Sequence, residues 1–294
     1  MIVEKLAGGL GNQMFQYAFA RSLAEEVEES CIILDVSDYN YDAKREYSLN
    51  HFILSDYVRT DNTGTFNKKY DWRTNYFIRV GCRLFPNLQF SFLSKKNIFV
   101  WRKNDYKQIK PKVGRDLFCF GYWQNTMYFH DHMELIRREF EIKEPIMDQN
   151  VDVFKHIKES NAVCIHIRRG DTLNRKTGLI NCTSTYYTKA IADIVSKVDN
   201  PLFMVFSDDI KGARETLKDI TARLEFVEQR NPDYEELRLM YSCKHFIIAN
   251  STFSWWAAFL SNNPNKIIVA PKNWYIDGRD MSGLLDPSWS IISD

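Results

Sequence analysis

Residues 162–171 read AVCIHIRRGD, a short apolar run that ends in two adjacent arginines. The run AVCIHI has the length and composition of a buried strand. Guanidinium groups at the end of such a strand are costly unless an anion or a carboxylate meets them. The stretch therefore predicts a strand end at which Arg168 and Arg169 face an anionic ligand, with a salt bridge from one of them to Asp171 as the alternative.

Strand and helix patterns alternate through the rest of this half of the chain. Five apolar runs predict strands, at 162–167, 202–207, 224–228, 245–250 and 266–271. The segments between them have helical periodicity, near 186–198, 211–222, 233–243 and 252–261. This alternation is typical of a parallel sheet that helices cover on both faces.

The first half begins in the same way. A strand at 2–6, a glycine-rich turn at 7–13, a helix at 14–29 and a strand at 31–36 predict a βαβ unit. Further on, 116–125 resembles a strand that runs into a turn, and 127–140 resembles a helix. We expect an α/β protein of two halves, residues 1–150 and 151–294, which join near 141–160.

The composition indicates an ordinary globular protein. The 294 residues are 45% hydrophobic and 26% charged, and the net charge of +1 provides no general attraction to nucleic acid. The six cysteines form no CxxC pair, so we expect buried reduced thiols. The start, MIVEKLAGG, lacks the pattern of a secretory signal, and the apolar stretch WWAAFL is too short to span a bilayer. We expect a cytoplasmic location, with peripheral contact at the inner face of the membrane as a further option.

The segment GGLGNQ (8–13) follows the first predicted strand. Glycines let a backbone approach a phosphate or a sugar hydroxyl, although a tight turn would use them equally well. The dinucleotide fingerprint GxGxxG requires a third glycine at the position of Met14, so the match is partial. Asp35 lies near the end of the second predicted strand, where such proteins have the acid that binds ribose. An NAD-linked oxidoreductase is therefore an alternative with partial support.

Two further polar clusters follow predicted strands. FSDD (206–209) provides adjacent carboxylates that could bind a cation, accept from ribose or guanine, or cap the next helix. ANSTFSWW (249–256) combines hydroxyl groups with a helix start, which is a capping pattern and also an anion site. The carboxyl ends of parallel strands share one edge, so these clusters and the arginines predict a site for a nucleotide diphosphate.

The sequence lacks the motifs of several other kinds of site. The chain has no Walker-type P-loop, no Asp-x-Asp triplet for a divalent cation, no zinc-ligand spacing and no Gly-x-Ser-x-Gly elbow. We therefore expect the arginines to act as the fixed cations at the diphosphate, with no metal and no other cofactor.

Five motifs of this chain and their order resemble glycosyltransferase family 11. They are GGLGNQMFQYA (8–18), GYWQNTMYF (121–129), HIRRGD (166–171), FSDD (206–209) and NSTFSWW (250–256). The members of that family are α-1,2-fucosyltransferases, here of the bacterial type. The resemblance implies a GT-B type fold, with two Rossmann-like domains facing across a cleft. Residues 1–150 would form the acceptor-side domain and 151–294 the GDP-sugar domain.

The resemblance also implies an activity. L-fucose would pass from GDP-L-fucose to the 2-hydroxyl of a terminal galactose, with inversion and without a metal. The acceptor would be an oligosaccharide or a lipid-linked glycan. Another nucleotide sugar as donor, or sugar binding without turnover, remains an alternative.

Residue roles follow from the same resemblance. Arg169 and Arg168 would hold the diphosphate, His166 and Asp209 would meet the guanine or the ribose, and Asp171 is a candidate general base. Trp123 and Gln124 would face the acceptor, and an amide such as Asn12 could only position a hydroxyl. The implied donor-binding residues are Gly9, Gly11, Asn12, Gln13, His166, Arg169, Asp208, Asp209, Asn250, Ser251, Thr252 and Ser254.

The stretch 66–112 is basic and aromatic, with twelve Lys or Arg, two Asp and eleven aromatic residues. It could be ordinary surface and packing in the acceptor half. Contact with anionic lipid headgroups would suit an enzyme that acts on lipid-linked glycans. Single-stranded nucleic acid is a third interpretation, which the near-neutral chain disfavours.

Overall fold

The computed structural model describes residues 1–42, 45–66, 80, 84, 97–100, 116–170 and 178–293. The chain divides into two compact units, residues 1–143 and 144–294. Each unit contains a parallel sheet, as the alternating pattern predicts.

Unit 1 is built on five parallel strands. They are β1 (Ile2–Lys5), β2 (Ile32–Asp35), β3 (Val58–Asp61), β4 (Ile98–Val100) and β5 (Leu117–Phe120), in the order β3-β2-β1-β5-β4. The α-helices among the described residues of this unit are α1 (Leu10–Glu26) and α2 (Met133–Glu139). Nearly all of α1 is buried, so it is a core helix of this unit.

Unit 2 is built on six parallel strands. They are β6 (Ala162–Ile167), β7 (Leu202–Ser207), β8 (Leu224–Phe226), β9 (His245–Ile247), β10 (Ile268–Pro271) and β11 (Ser290–Ile292). The helices are α3 (Val151–Glu159), α4 (Ser184–Val195), α5 (Ile210–Thr216), α6 (Asp233–Tyr241) and α7 (Thr252–Leu260). The sheet order β11-β10-β9-β6-β7-β8 is the Rossmann order, in which the chain reverses direction between β6 and β9.

The boundary between the units lies seven residues before the predicted one at 150. Residues 144–150 are bonded to α6, which belongs to unit 2. The buried carboxylate of Glu235 accepts from the backbone N–H of Met147 at 2.9 Å and from Asn150 Nδ2 at 3.1 Å. Arg238 Nη2 donates to the carbonyl of Glu144 at 2.6 Å. These polar bonds attach the connecting segment to α6 and thus to unit 2.

Some elements differ from the sequence prediction. Helix α1 begins at Leu10, four residues before its predicted start, so the motif GGLGNQ is mostly the first turn of a helix. The segment predicted as one helix at 127–140 contains two short 3₁₀ turns before α2. Strands β3 and β11 lie at sheet edges, where half-exposed residues do not produce an apolar run.

The cysteines of the described residues are free thiols, as predicted, with Cys119, Cys164 and Cys243 buried. Cys82 lies outside the described residues. Among the helices that the structure describes, none is both long enough and apolar enough to cross a membrane.

Glu4 lies in the middle of β1 and is completely buried. Trp123 Nε1 donates to its Oε1 at 2.8 Å, and Oε2 has no partner among the described residues. Burial raises the pKa of Glu4 well above its usual value, and the Trp123 bond offsets only part of this effect. The carboxyl group therefore keeps its proton in the folded protein to a higher pH than an exposed glutamate does.

We expect Glu4→Gln to stabilise the protein at neutral pH. In the wild type the folded state keeps a proton that the unfolded chain loses above its usual pKa of 4.5. The free energy of unfolding therefore falls as pH rises from that value toward the folded pKa, by up to ~1.4 kcal/mol per pH unit. Glutamine removes this loss, so the difference in melting temperature between variant and wild type should widen from pH 5 to pH 8. A constant difference over that range would contradict a neutral Glu4.

Candidate active site

The polar motifs of unit 2 meet at the carboxyl edge of its sheet. Strands β6 and β9 are neighbours, and the chain leaves them in different directions, which creates a crevice at this edge. The arginine motif follows β6, the aspartate pair follows β7, and the start of α7 follows β9. The tertiary structure thus brings together three motifs that are far apart in the sequence.

Asp208 positions the arginine loop. Its two carboxylate oxygens accept from the backbone N–H groups of Arg169 at 2.9 Å and Gly170 at 3.1 Å. Its Oδ2 also lies 3.4 Å from Arg168 Nε. A Cβ on Gly170 would come within 2.8 Å of Asp208 Oδ2, so this turn is closely fitted to the carboxylate. Asp208 therefore sets the backbone course that presents both arginines.

Asp209 orients the second arginine and also caps a helix. Its Oδ2 accepts from Arg169 Nε at 3.1 Å, and its Oδ1 accepts from the backbone N–H of Gly212 at 2.9 Å in the first turn of α5. Arg169 Nη1 donates to Thr216 Oγ1 at 3.1 Å. The Gly212 N–H and then the arginine lower the pKa of Asp209. Both carboxylate oxygens are thus used in holding Arg169 and α5.

Gly212 and Thr216 were not predicted from the sequence. A Cβ on Gly212 would lie 2.2 Å from Arg169 Nε and 2.2 Å from Asp209 Oδ2. The Arg169 side chain therefore occupies the space that a side chain at position 212 would fill. A glycine in the first turn of a helix, three residues after an acid pair, was the available sequence signal.

His166 is buried at the end of β6, with 2% of its surface exposed. Its Nδ1 has no hydrogen-bond partner among the described residues, and its ring lies 6.1 Å from that of Phe253 on α7. Burial, and then the charge of Arg168, lower the pKa of His166 to about 3. The imidazole is therefore neutral near pH 7 and can accept or donate a hydrogen bond without carrying charge.

Glu236 is a further titratable group beside this cluster. It lies in α6, which packs against α7, and sequence reasoning did not select it. Burial, and then the charges of Asp208 and Asp233, raise the pKa of Glu236 to about 7, with Arg168 acting in the opposite direction. Acids in the first turn of a helix usually have a dipole role, so the sequence did not reveal that Glu236 interacts with Arg168 and Asp208.

The motif ANSTFSWW contains two predicted donor ligands that lie in the core. Asn250 is buried, and its Nδ2 donates to the carbonyls of Ile180 and, at 3.1 Å, Trp274. The buried Ser254 Oγ donates to the carbonyl of Ser251 at 3.2 Å. These two side chains position loops and the helix start, so the prediction that they bind the donor is corrected. Ser251 and Thr252 remain half-exposed where α7 begins.

The glycine motif lies at the switch point of the first sheet, between β1 and β5. Gly8 has a φ of +83°, and Asn12 Nδ2 lies within 2.6 Å of where its Cβ would be. Gly11 and Gln13 are buried in α1. Gln13 Nε2 donates to the carbonyls of Gly8 at 3.2 Å and Glu46 at 2.7 Å, while its Oε1 accepts from the Ser48 N–H at 3.0 Å. Gln13 therefore fastens two loops, and its predicted contact with the donor is corrected.

Trp123 is also a core residue rather than a binding surface. Only 1% of it is exposed, and its ring stacks on that of Phe19 with the centroids 3.8 Å apart. Gln124 is half-exposed and donates to Asn12 Oδ1 at 3.0 Å. The predicted contact between the Trp123 ring and the acceptor is therefore wrong, because the indole is buried and donates to Glu4.

Two predictions concern residues without a described structure. Asp171, the candidate base, lies outside the described residues, as does most of the basic stretch 66–112. Within the described part of the chain, no group of three or more His, Cys, Asp or Glu side chains is arranged to hold a metal ion.

The structure does not favour the oxidoreductase interpretation. Asp35 is buried, and its Oδ1 accepts from the backbone N–H of Ser37 at 3.0 Å, so the carboxylate is used in a turn. Met14, which replaces the third glycine of the fingerprint, is completely buried in α1. The dinucleotide pattern at 8–14 therefore reflects the packing of a core helix.

The profile of Glycosyl transferase family 11 matches residues 78–292, which is most of the chain. The chain belongs to glycosyl transferase family 11. This protein is thus a glycosyltransferase, as its motifs predict. An alpha-1,2-colitosyltransferase of Escherichia coli is 36% identical over 94% of this chain and 92% of its own length. The human galactoside alpha-(1,2)-fucosyltransferase 1 is 24% identical over 55% of this chain and 47% of its own length.

Solved structures confirm the fold class. The crystal structure of NodZ alpha-1,6-fucosyltransferase soaked with GDP-fucose aligns with a TM-score of 0.54 at 14% identity. The alignment covers 91% of this chain and 94% of NodZ. The predicted GT-B type architecture, with one Rossmann-like parallel sheet in each unit, is the architecture of this family 11 glycosyltransferase.

Proposed function

We propose that this glycosyltransferase moves L-fucose from GDP-L-fucose to the 2-hydroxyl of a terminal galactose, in α-1,2 linkage and with inversion. The observation that carries the proposal is the pair of arginines at the switch point of unit 2, each held by its own aspartate. The names of the human relative and of NodZ support fucose as the sugar and GDP as the carrier.

The arginines would hold the diphosphate. As GDP leaves, negative charge grows on its β-phosphate, and a fixed cation stabilises the transition state more than the ground state. Asp208 and Asp209 hold the guanidinium groups before the donor arrives, so little reorganisation is needed. The N–H groups at the start of α7, with Ser251 and Thr252, add donors for the same anion.

The guanine base would lie near His166 and Glu236. The charges of Arg168 and Asp208 affect the pKa values of both groups, so His166 and Glu236 lie close to the same two side chains. Guanine presents two N–H donors on one edge, which an ionised carboxylate can accept together. Asp209 has both oxygens bonded within the protein. We therefore transfer the base-recognition role that the sequence suggested for Asp209 to Glu236.

Base recognition through Glu236 predicts a pH dependence. Only the ionised carboxylate accepts from both guanine donors, so the preference for GDP over ADP should rise with pH through the pKa of about 7. We expect the dissociation constant of ADP divided by that of GDP to be about tenfold smaller at pH 6 than at pH 8. Phosphate protonation cancels in this ratio.

Isothermal titration with GDP and ADP at both pH values would measure this preference. Glu236→Gln should reduce the preference and make it independent of pH. Asp219→Asn, an exposed acid of the same unit, should behave like wild type. A wild-type preference that falls as pH rises would contradict the assignment.

The test of the proposed function is GDP release from GDP-fucose in EDTA, with and without lactose. Lactose-stimulated release in EDTA, with an α-1,2-linked product identified by NMR, would support both the reaction and its independence of metal. Loss of activity in EDTA that Mg²⁺ or Mn²⁺ restores would overturn the metal-free proposal. Release that no galactoside stimulates would remove galactose as the acceptor.

A second donor merits the same assay. Colitose is fucose without its 3-hydroxyl, and the colitosyltransferase relative is 36% identical to this chain. Rates with GDP-fucose and GDP-colitose, each measured with lactose, compare the two directly. A higher kcat/KM for GDP-colitose than for GDP-fucose would indicate that colitose is the natural sugar. The role proposed for the arginines would be unchanged. Lipid-linked acceptors and contact with a membrane surface remain predictions, which liposome co-sedimentation would test.

A further inference from the structure

Ser207 joins the ends of two neighbouring strands in unit 2. It is the last residue of β7, and its register partner is Ile167, the last residue of β6. Its Oγ donates to the carbonyl of Ile167 at 2.7 Å and accepts from the backbone N–H of Asp209 at 3.1 Å. One hydroxyl thus links the residue that precedes the arginine pair to the aspartate that orients Arg169.

Three consecutive side chains, those of residues 207–209, hold the arginine segment in order. Ser207 donates to the carbonyl that precedes the arginines. Asp208 accepts from backbone N–H groups of the arginine loop, and Asp209 accepts from the Arg169 side chain. The strand pairing between β6 and β7 ends at Ser207, so these side-chain bonds continue the link between the two segments where the sheet stops.

The Ser207 hydroxyl also shapes the backbone at Asp209. A serine hydroxyl that accepts from the N–H two residues further on forms a local turn. Asp209 adopts a φ of −143° and a ψ of 85°, and its carboxylate reaches both Gly212 in α5 and Arg169. The serine therefore influences where the carboxylate lies and, through it, where the guanidinium lies.

Ser207 contributes little to the packing of the core. The five residues before it in β7 are buried, whereas Ser207 itself is half-exposed. Its side chain carries no charge, so it adds nothing to the attraction of an anion. Removal of its oxygen would leave one C=O and one N–H without their bonds at the strand ends, while the apolar contacts of the strands would remain. The expected consequence is a looser placement of the two loops that these groups begin.

We propose that Ser207 is a positioning residue of the donor site, which acts through Asp209 on Arg169. With the hydroxyl in place the guanidinium is fixed before the donor arrives, so the binding of a diphosphate requires less ordering. The contact between the arginine and a diphosphate rests on the proposed function. The chain of bonds from Ser207 to Arg169 does not depend on it.

The test compares Ser207→Ala and Ser207→Thr with a control, Ser242→Ala. Ser242 is a half-exposed serine of the same unit, and its Oγ also donates to a carbonyl at 2.7 Å, that of Arg238 in α6. Isothermal titration would measure the dissociation constant of GDP, and ligand-observed NMR that of guanosine, which lacks the diphosphate. We expect Ser207→Ala to reduce the preference for GDP over guanosine about tenfold, because only the diphosphate requires the placed arginine. Ser207→Thr keeps the hydroxyl, so it and Ser242→Ala should retain the wild-type preference.

The ratio of the two dissociation constants isolates the placement of the arginine, because a variant that is only less stable loses affinity for both ligands equally. An unchanged ratio in Ser207→Ala would overturn the inference, and an equal reduction in Ser207→Thr would show that the hydroxyl is not responsible. A wild-type protein without a preference for GDP over guanosine would overturn the diphosphate site and the role of Ser207 with it. A preference that depends on Ser207, in a protein that does not transfer from GDP-fucose, would uphold the role of Ser207 and reject the proposed reaction.

Discussion

Arg169→Ala is expected to slow transfer from GDP-fucose by roughly 10²–10³-fold, the usual loss when a donor to developing charge is removed. Asp209 and Thr216 hold two nitrogens of the guanidinium, which orients its plane at the crevice. Arg169→Lys keeps the charge and loses the planar fork, so its rate should lie between those of the alanine variant and wild type. Initial rates of GDP release with saturating lactose would measure all three proteins.

Arg214→Ala is the matched control. Arg214 lies on α5, is about half-exposed, and packs over the ring of Phe226 at 4.1 Å, away from the aspartate pair. Its removal should change the rate less than about twofold, since exposed charges contribute little. Melting temperatures would show that each variant is folded. An Arg169→Ala protein with wild-type kcat and KM would remove the arginine from the donor site.

Gly212→Ala is expected to cost roughly 10²-fold in the same assay, because it displaces a group that must be accurately placed. The new methyl group would lie 2.2 Å from Arg169 Nε, so the arginine must move. Alanine has the higher helix propensity by about 1 kcal/mol, which offsets the cost of moving the capping carboxylate of Asp209, whose Oδ2 also lies 2.2 Å from the new methyl group. A slow variant with a retained melting temperature would therefore indicate a misplaced arginine.

A double-mutant cycle tests this explanation. If Gly212→Ala acts through Arg169, it should cost much less in an Arg169→Ala background than in the wild type. Glu215→Ala, an exposed change on the same helix, should have independent and small effects in both backgrounds. Losses from Gly212→Ala that are equal in the two backgrounds would show that the glycine acts by another route.

The buried strands were predictable because their residues form continuous apolar runs. Strands β6 and β7 have the predicted bounds, 162–167 and 202–207, and are buried along nearly their whole length. Strand β3, with the sequence VRTD, was missed because an edge strand is half-exposed and lacks that signal. The start of α1 was misplaced because glycine was interpreted as a turn former, whereas the backbone leaves its positive φ at Gly8 and becomes helical from Leu10.

The candidate site was predictable in its motifs and less so in its individual side chains. Arg168, Arg169, Asp208 and Asp209 lie together at one sheet edge, as the shared position after parallel strands suggests. Other residues of the family motifs hold the protein together instead, because their polar atoms are bonded within it: Asn250, Ser254, Gln13 and Trp123. A motif shows that a segment matters, and it does not separate residues that bind a ligand from residues that hold the segment in place.

Local patterns in the chain were sufficient for the α/β class, the parallel sheets and the strand ends at which the polar motifs lie. Hydrophobic periodicity and glycine positions act over a few residues, so they can be recognised in one dimension. The partners of each polar group depended on the folded chain. Asp208 meets the arginine loop across 39 residues, and burial and the charge of Asp208, which lies on another segment, raise the pKa of Glu236. Burial and electrostatics arise from neighbours in space, which is why these roles appear only once the sheet has assembled.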